Sequence, residues 1–142
     1  MNIKIKKLHK DAVIPFYASE GAAGMDLTAT EIEVVDEKDH GYISYKTGLA
    51  MEIPVGYMGL LFPRGSVSKT GLIMANCVGV VDADYRGDIE ARFKYVAGSK
   101  KYDAGDRVAQ IIILPFPTIE FEEVEELTQT ERGEGGHGST GS

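Results

Sequence analysis

Short runs rich in Val, Ile, Tyr and Phe recur along the chain, and Gly, Pro and Asp separate them. In the first run, Ile3 and Ile5 alternate with two lysines, which is the period of two shown by a strand with one face in water. This rhythm predicts an all-β sandwich or barrel. The runs predicted as strands are NIKIKKL (2–8), EIEVVD (31–36), YISYKTGLAMEI (42–53), YMGLLF (57–62), NCVGVV (76–81), DIEARFKYV (88–96), RVAQIIILPF (107–116) and IEFEEVEEL (119–127).

Little else in the chain predicts regular structure. One short helix is expected at 66–70, because a serine can begin it and Gly71 can end it. The segment 128–142 contains five glycines and no apolar residue. Such a segment cannot bury enough surface to offset the entropy of ordering it. We therefore expect a folded β domain at 1–127 and a flexible arm at 128–142.

The glycine-rich sequence of this arm matches two phosphate-binding patterns, one of them incompletely. GEGGHG (133–138) fits G-x-G-x-x-G, and 133–140 fits a Walker A pattern except that Ser139 stands in place of the lysine. Both motifs need a strand before the glycines and a helix after them, whose N-terminal amides hold the phosphate. Neither element is predicted beside these glycines. Both matches are therefore interpreted as false, and the glycines need another explanation.

Composition limits the class of protein. With 142 residues the chain is about one domain long, and that length can bury a real core. Cys77 is the only cysteine and the three histidines are scattered, which predicts no disulfide framework and no zinc site in a reducing compartment. The first ten residues lack the apolar run of a signal peptide, and no segment is apolar enough to span a membrane. We expect a cytoplasmic protein, in the host cytoplasm if the source is a virus.

The net charge of −7 argues against non-specific binding to nucleic acid, which depends on Lys and Arg. An anionic ligand must therefore meet a local basic cluster. PRGSVSKTG (63–71) offers one, because Arg64 can form a bidentate fork on a phosphate and Lys69 can act as a point charge. Gly65 and Ser66 add a backbone amide and a hydroxyl. A solvated turn is an equally good interpretation of this stretch taken alone.

Three further stretches carry polar groups that are suited to chemistry. In NCVGVVDADYRGDI (76–89), Asp82 and Asp84 lie two apart on a turn, where acids are usually only turn formers. In GMDL (24–27), Asp26 lies between apolar residues and is more often a structural hydrogen-bonding group than a catalytic one. In GDRVAQIIILP (105–115), Gln110 is either a polar residue beside the strand ladder or a ligand contact.

In chain order, AAGMDL, PRGSVSKTG, GVVDADYRGDI, GDRVAQIIILP and RGEGGHGSTG resemble the five ordered motifs of the trimeric dUTPases. The resemblance covers the chain from about residue 20 onward. It implies a jelly roll, or distorted β-barrel, assembled as a homotrimer with active sites at the subunit junctions. The glycine-rich tail then resembles the family's C-terminal arm, which closes over nucleotide bound at a neighbouring subunit. Its glycines let the backbone lie close to a triphosphate.

The resemblance also implies hydrolysis of dUTP to dUMP and pyrophosphate, which lowers dUTP and supplies dUMP for dTMP synthesis. Asp82 corresponds to the general base, which activates a water for attack on the α-phosphorus. Tyr85 corresponds to the ring that packs under the deoxyribose and leaves no room for a 2′-hydroxyl. The substrate-binding positions are Arg64, Gly65, Ser66, Asn76, Gly79, Val80, Val81, Tyr85, Glu90, Gln110, Arg132, His137, Gly138 and Ser139, with Asp26 and Lys69 in support.

Within that set, backbone groups of 79–81 and near Glu90 are expected to read the uracil edge, and Asn76 to hold the hairpin or a water within it. Mg²⁺ is expected to bind the triphosphate and waters, with no direct protein ligand, since it keeps much of its hydration. Two positions depart from the family pattern. Gly65 replaces a usual serine, and His137 replaces the phenylalanine that stacks on uracil.

Three other functions fit this sequence less well than dUTP hydrolysis. The related dCTP deaminases share the jelly roll and trimer, but they carry a glutamate base at the position of Arg92. A nucleotide-sensing interaction module on the same fold is disfavoured by the intact Asp82 and the complete arm, although a regulatory protein partner stays open. All-α nucleotide pyrophosphatases are excluded by the strand pattern.

Overall fold

The computed structural model describes residues 1–38 and 40–138, and their regular structure is almost entirely β. The one helix in this described part is a 3₁₀ helix at Gly65–Lys69. No helix there is long and apolar enough to cross a membrane. The strands are β1 (Lys4–Lys7), β2 (Phe16–Tyr17), β3 (Met25–Thr28), β4 (Glu31–Val35), β5 (Tyr42–Lys46), β6 (Leu49–Glu52), β7 (Tyr57–Pro63), β8 (Leu72–Met74), β9 (Gly79–Val81), β10 (Glu90–Tyr95) and β11 (Arg107–Pro115).

The strands form two main antiparallel sheets and a small third one. The first main sheet has the order β4-β5-β10-β8, and the second has the order β2-β3-β11-β7-β9. Strands β1 and β6 pair separately. Inward-facing residues of both main sheets belong to one hydrophobic core, as in a sandwich of two sheets. The expected all-β jelly roll is confirmed.

Three aromatic rings fix the middle of this core. Tyr45, Phe93 and Tyr102 pack edge to face, with ring centroids 5.6 to 6.4 Å apart. The hydroxyl of Tyr45 donates to the backbone oxygen of Tyr102 at 3.1 Å. Burial raises the pKa of Tyr45, which keeps this hydroxyl protonated as a donor. The cluster therefore ties the first sheet to the loop that precedes β11.

Most of the predicted strands are confirmed, with local differences. The run 42–53 divides into β5 and β6 at Gly48, whose positive φ of 65° turns the chain. The run 76–81 is a strand only at Gly79–Val81. The sequence patterns missed three short strands, namely β2, β3 and β8. The helix predicted at 66–70 begins one residue earlier and is 3₁₀.

The strand predicted at 119–127 is wrong for the single chain. Its apolar residues are separated by one or two acids, but no strand of the described residues pairs with this segment. Phe121 is 93% exposed and Leu127 is 85% exposed. A strand needs a partner edge for its backbone hydrogen bonds, and periodicity alone does not supply one.

Candidate active site

A cleft of about 150 Å³ lies beside the hairpin that joins β9 to β10. Strand β9 pairs with β7, with Gly79 opposite Leu61 and Val81 opposite Gly59. The chain then leaves the sheet in a polar turn, as the Asp and Gly residues after an apolar strand predict. This hairpin cleft is lined by Leu61, Asn76, Gly79, Val80, Val81, Asp82, Tyr85, Asp88, Ile89 and Glu90. It thus brings together the residues expected to bind the base and sugar with the expected general base.

Asp82 occupies the exit of β9, where the hairpin cleft meets a larger cleft of about 650 Å³. Its backbone oxygen accepts a hydrogen bond from the amide of Tyr85 at 3.1 Å, which closes the turn. The residue is exposed, and no ion pair within 1–38 or 40–138 involves its carboxylate. The turn therefore fixes the position of Asp82 while its carboxylate faces solvent.

Tyr85 forms one wall of the hairpin cleft. Its hydroxyl donates to the backbone oxygen of Asp88 at 2.9 Å. The ring lies so close to Gly87 that a Cβ on that glycine would come within 2.6 Å of the ring carbon bearing the hydroxyl. A side chain at position 87 would therefore have to displace the Tyr85 ring, which the hydrogen bond to Asp88 holds beside the cleft.

Asp88 is a residue of this site that the sequence motifs did not single out. Its carboxylate accepts hydrogen bonds from the amides of Gly48 at 2.9 Å and Leu49 at 3.3 Å. These contacts tie the hairpin to the corner between β5 and β6. In the sequence, Asp88 follows a glycine and looks like an ordinary turn residue, so only the long-range contacts reveal its role.

The carboxylate of Glu90 is committed to neighbours within the first sheet. It accepts from the Ser44 hydroxyl at 2.6 Å and from Arg92 Nε at 2.7 Å. Arg92 also lies over the ring of Tyr42, with 4.8 Å between the guanidinium carbon and the ring centroid. The backbone of Glu90 is thus the part of this residue left to meet a ligand.

A second constellation surrounds Asp26, whose side chain is only 7% exposed. Arg64 donates to it twice, from Nε at 2.7 Å and from Nη2 at 3.2 Å. Arg107 adds a third contact at 2.9 Å. A buried carboxylate requires such partners because burial removes its hydration. The guanidinium of Arg64 therefore binds Asp26 in this structure. From the sequence it is expected to bind a phosphate in the same bidentate way.

These side chains form one edge of a basic cleft of about 260 Å³. Arg64 Nη1 donates to the Ser66 hydroxyl at 3.2 Å, and this hydroxyl lies 2.8 Å from that of Tyr102. The lining residues are Arg64, Ser66, Lys69, Thr70, Lys100, Lys101, Tyr102, Asp106 and Arg107. Sequence analysis missed Lys100, Lys101, Tyr102 and Arg107. The adjacent lysines and the arginine of GDRVAQ were the available signals.

Gly65 and Gln110 lie beside this constellation. No atom lies within 4 Å of where a Cβ on Gly65 would be, so the missing serine leaves open space. Gln110 donates from its side-chain amide to the backbone oxygen of Pro63 at 3.0 Å. Its side chain also packs against Gly24, where any Cβ would collide with it. Gln110 thus braces the strand end that carries Arg64.

The hairpin cleft and the basic cleft are separate in one chain and share no lining residue. Val81 pairs with Gly59, and Arg64 lies five residues farther along the chain than Gly59. At ~3.3 Å per residue this separation is about 17 Å. A single chain therefore does not place the expected phosphate ligands next to Asp82.

The described part of the arm makes local contacts. Arg132 Nε donates to the backbone oxygen of Gly135 at 2.8 Å, and the amide of Gly133 donates to Thr130. His137 and Gly138 have left-handed φ angles of 47° and 89°. None of these arm residues lines either cleft. Ser139 lies outside the described residues.

Within residues 1–38 and 40–138, no group of three or more His, Cys, Asp or Glu side chains is arranged to hold a metal ion. Asp82 is exposed on its turn, Asp88 and Glu90 in the same cleft accept hydrogen bonds from neighbours, and Asp26 is neutralised by two arginines. The charge available to an anionic ligand is therefore concentrated in the basic cleft.

Known proteins of one family match the whole chain. A family model described as dUTPase matches residues 10–141. A deoxyuridine 5′-triphosphate nucleotidohydrolase of Hydrogenobaculum sp. is 38% identical over 143 residues and covers 99% of each chain. The enzyme of the same name from Escherichia phage T5 is 41% identical over 149 residues, again with 99% of each chain covered.

Solved structures give the same result. The dUTPase of Staphylococcus bacteriophage 80alpha with dUpNHpp has a TM-score of 0.84 and 32% identity, and the match covers 99% of both chains. A variant dUTPase from phage phi11 of S. aureus, described with a structural Mg(II) ion, has a TM-score of 0.71 and 27% identity over 89% of this chain and 98% of that one. The chain belongs to the dUTPase family.

Proposed function

We propose that the protein hydrolyses dUTP to dUMP and pyrophosphate, which lowers dUTP and supplies dUMP for dTMP synthesis. The observation that carries this proposal is the hairpin cleft, where Asp82, Tyr85 and the backbone of 79–81 meet. The bacterial and phage relatives are named as dUTP nucleotidohydrolases over nearly their full lengths, and the 80alpha neighbour has dUpNHpp bound.

In the proposed reaction, Asp82 orients a water and accepts its proton as the water attacks the α-phosphorus. The bond between the α-phosphorus and the bridging oxygen then breaks, and pyrophosphate leaves. A solvent-facing carboxylate on a fixed turn suits this role, because a general base must reach the water without being neutralised by a partner. Phosphoryl transfer otherwise depends mainly on positioning and charge stabilisation.

Tyr85 and the neighbouring backbone determine which nucleotide fits. The ring of Tyr85, held against Gly87, packs under the deoxyribose and excludes a 2′-hydroxyl. Backbone groups of 79–81 and of Glu90 read the uracil edge, while Asn76 supports the hairpin beside Gly79. Backbone readout is reasonable here because the Glu90 carboxylate is already bonded to Ser44.

The active protein is proposed to be a homotrimer in which neighbouring subunits complete each site. The separation of the hairpin cleft from the basic cleft within one chain supports this proposal. The exposed apolar residues of 119–127 also require a cover that the single chain lacks. In the trimer, Arg64, Gly65, Ser66, Lys69 and Gln110 serve the phosphates from their side of a subunit junction.

The arm at 128–142, beyond the domain at 1–127, is proposed to close over nucleotide bound at a neighbouring subunit. Arg132 supplies charge, His137 stacks on the base, and the segment 138–139 lies along the phosphates. A segment of about 15 residues at ~3.3 Å each reaches roughly 50 Å, which is enough to cross to another protomer. Its contacts in the described residues are local, so nothing in the body competes for it.

Mg²⁺ is proposed to accompany the substrate and to be held by its phosphates and by water. The described residues fit this arrangement, because no group of three or more His, Cys, Asp or Glu side chains among them is arranged as a metal cage. When bound, the ion would neutralise charge on the phosphate oxygens. The residues of the chain then need only orient the triphosphate and the attacking water. The cytoplasmic location stays a prediction.

Pyrophosphate release measured with dUTP, UTP, dCTP and dTTP tests the proposal. We expect dUTP to be hydrolysed far faster than the other three, and equal rates would contradict it. Ammonia release from dCTP should be absent, since Arg92, at the position of the deaminase base, is paired with Glu90. Light scattering at micromolar concentration should give the mass of a trimer. A fully active monomer would contradict the shared sites.

A further inference from the structure

The hydroxyl of Ser66 lies between two groups that can both donate to it. Arg64 Nη1 donates to it from one side at 3.2 Å, and the Tyr102 hydroxyl lies 2.8 Å away on another. Tyr102 is absent from the phosphate-binding stretch at 63–71 and comes from the loop before β11. The 2.8 Å contact therefore joins two distant segments of the chain at the rim of the basic cleft.

A serine hydroxyl has one proton and can accept two hydrogen bonds. Arg64 has only protons to offer and uses one acceptor position of Ser66. If Tyr102 donates to the other, both acceptor positions are filled and the Ser66 proton must point elsewhere. Ser66 lines the basic cleft, so the remaining direction leads to whatever anion occupies that cleft. A deprotonated phosphate oxygen can only accept a hydrogen bond. A bound phosphate therefore favours the arrangement in which Tyr102 donates to Ser66 and Ser66 donates to the phosphate.

Tyr102 is rigid enough to impose such an orientation. Tyr102 is only 8% exposed, and its ring packs against those of Tyr45 and Phe93. Its backbone oxygen accepts from the Tyr45 hydroxyl. Two residues earlier, the backbone oxygen of Lys100 accepts from the amide of Gly71 at 2.9 Å. The ring is thus fixed in the core while its hydroxyl reaches the cleft.

The charge around the cleft identifies the class of ligand. Four cationic residues besides Arg64 line it, against a single acid, Asp106. The carboxylate of Asp106 accepts from the backbone amide of Asp103 at 2.8 Å, which occupies part of its acceptor capacity. Lys101 lies over the ring of Tyr95 at 4.3 Å from the centroid, which restricts its motion. A polyphosphate matches this concentration of positive charge. The four residues are Lys69, Lys100, Lys101 and Arg107.

We propose that Tyr102 is a positioning residue that donates to Ser66 and thereby directs the Ser66 proton to a phosphate oxygen of the substrate. This inference rests on the proposed function, because it assigns the phosphates of dUTP to the basic cleft. In this proposal the hydroxyl of Tyr102, although it lines the cleft, meets Ser66 and not the substrate. Its effect must therefore pass through the Ser66 hydroxyl and must vanish when that hydroxyl is removed.

Tyr102→Phe keeps the buried ring and removes only the hydroxyl. We expect the KM for dUTP to rise about three- to tenfold with kcat nearly unchanged, since the contact to the phosphates exists in the ground state and in the transition state alike. Ser66→Ala should raise the KM at least as much. In the double variant, Tyr102→Phe should add nothing to the effect of Ser66→Ala. Additive effects, or an unchanged KM in the single Tyr102 variant, would overturn the proposal.

Tyr45→Phe is the matched control, because it removes a tyrosine hydroxyl from the same aromatic cluster without reaching Ser66. It should lower Tm and leave the KM within about twofold of the wild-type value. An equal rise in KM for this control would assign the effect to general loosening of the core. If Tyr102→Phe does not fold, Tyr102→Met provides a second hydroxyl-free side chain that adapts to the space.

Binding of inorganic tripolyphosphate, measured by calorimetry, separates this inference from the proposed function. The wild-type protein should bind it, and Tyr102→Phe should weaken the binding by the same factor by which it raises the KM. This readout does not require dUTP turnover, so a protein inactive on dUTP can still support or contradict the role of Tyr102. Failure of the wild-type protein to bind tripolyphosphate, or equal binding by both proteins, would contradict it.

Discussion

Two arginines proposed to meet the same triphosphate lie in very different surroundings. Arg64 belongs to the folded body, where it makes two hydrogen bonds to Asp26 and one to Ser66, and its side chain is 21% exposed. Arg132 belongs to the arm and is exposed, with one hydrogen bond to Gly135, three residues away. One arginine is positioned by the fold, and the other depends on its ligand for position.

This difference shows that a binding site can combine groups positioned by the fold with groups that are ordered only by the ligand. Groups held by long-range contacts are in place before substrate arrives and lose little entropy when it binds. Ordering the arm costs roughly 1 to 2 kcal/mol of backbone entropy per residue, which contacts to the nucleotide must offset. The folded body therefore positions its binding groups in advance, and the arm is proposed to close over the nucleotide after it binds. Asp82 combines the two, because its position is fixed by the turn while its carboxylate faces solvent.

The largest effect is expected from Asp82→Asn. The amide has nearly the same shape but cannot accept the water's proton, so kcat should fall by on the order of 100- to 10,000-fold, while the affinity for a non-hydrolysable dUTP analogue changes little. Asp84→Asn, two residues farther on the same turn and outside the hairpin cleft, is the matched control and should stay near wild-type activity. Near-normal turnover by the Asp82 variant would remove it as the base.

Asp26→Asn tests the anchored side of the comparison. Removing the charge leaves Arg64 and Arg107 without their carboxylate, and we expect a loss of about 2 to 3 kcal/mol in the free energy of unfolding together with a higher KM. Urea unfolding at one fixed protein concentration measures the loss, because an oligomer's stability depends on concentration.

The control for this variant is Glu33→Gln. Glu33 forms an ion pair with Lys46 at 3.0 Å, but both side chains are at least one-third exposed. Solvent screens such a pair, so its loss should cost less than about 1 kcal/mol. Equal destabilisation by the two variants would mean that burial of Asp26 contributes nothing special, and Arg64 would no longer count as anchored.

Truncation after Glu131 tests the arm. The fold and the trimer should persist, because the hydrogen bonds of the described arm residues are to one another. We expect kcat/KM for dUTP to fall on the order of tenfold or more, since one charge-assisted contact and the closure of the site are lost. Arg132→Gln in the full-length chain should show part of that loss. An arm deletion with unchanged kcat/KM and unchanged mass by light scattering would show that the body alone makes the site.

The sequence predicted best what local pattern controls. Alternating runs predicted most strands, and the turn after β9 was predicted to carry Asp82 and Tyr85 together. Residues that matter through distant contacts were missed. Asp88 bonds to Gly48 across the fold, and Tyr102 reaches Ser66 from a loop whose sequence shows no phosphate-binding motif.

Two features show how a partner group can be invisible in the local pattern. The guanidinium fork of Arg64 is expected to meet a phosphate, and within this chain a buried Asp26 from β3 accepts two of its hydrogen bonds, so a phosphate contact stays a prediction. The apolar residues of 119–127 predict a strand, yet no strand of the described residues pairs with this segment. In both cases the side chain or strand is suited to a partner, and only the three-dimensional arrangement decides which partner it meets.

The smallest effect is expected from His137→Phe, which places the family's usual stacking ring in the arm. A phenyl ring presents more apolar surface to uracil than an imidazole does, so substrate binding should tighten about two- to threefold with little change in kcat. The left-handed φ of 47° at this position is tolerated better by His than by Phe, which keeps the expected gain small. His40→Phe, at an exposed loop position outside both clefts, should change nothing.

Hydrogen exchange of the arm with and without a non-hydrolysable dUTP analogue completes the test. Protection should appear only with the analogue and should be stronger in the His137 variant, because tighter stacking shifts the arm toward its closed position. Equal protection in the two states would mean that the arm is not a lid, and the contrast between Arg64 and Arg132 would then have no role in catalysis.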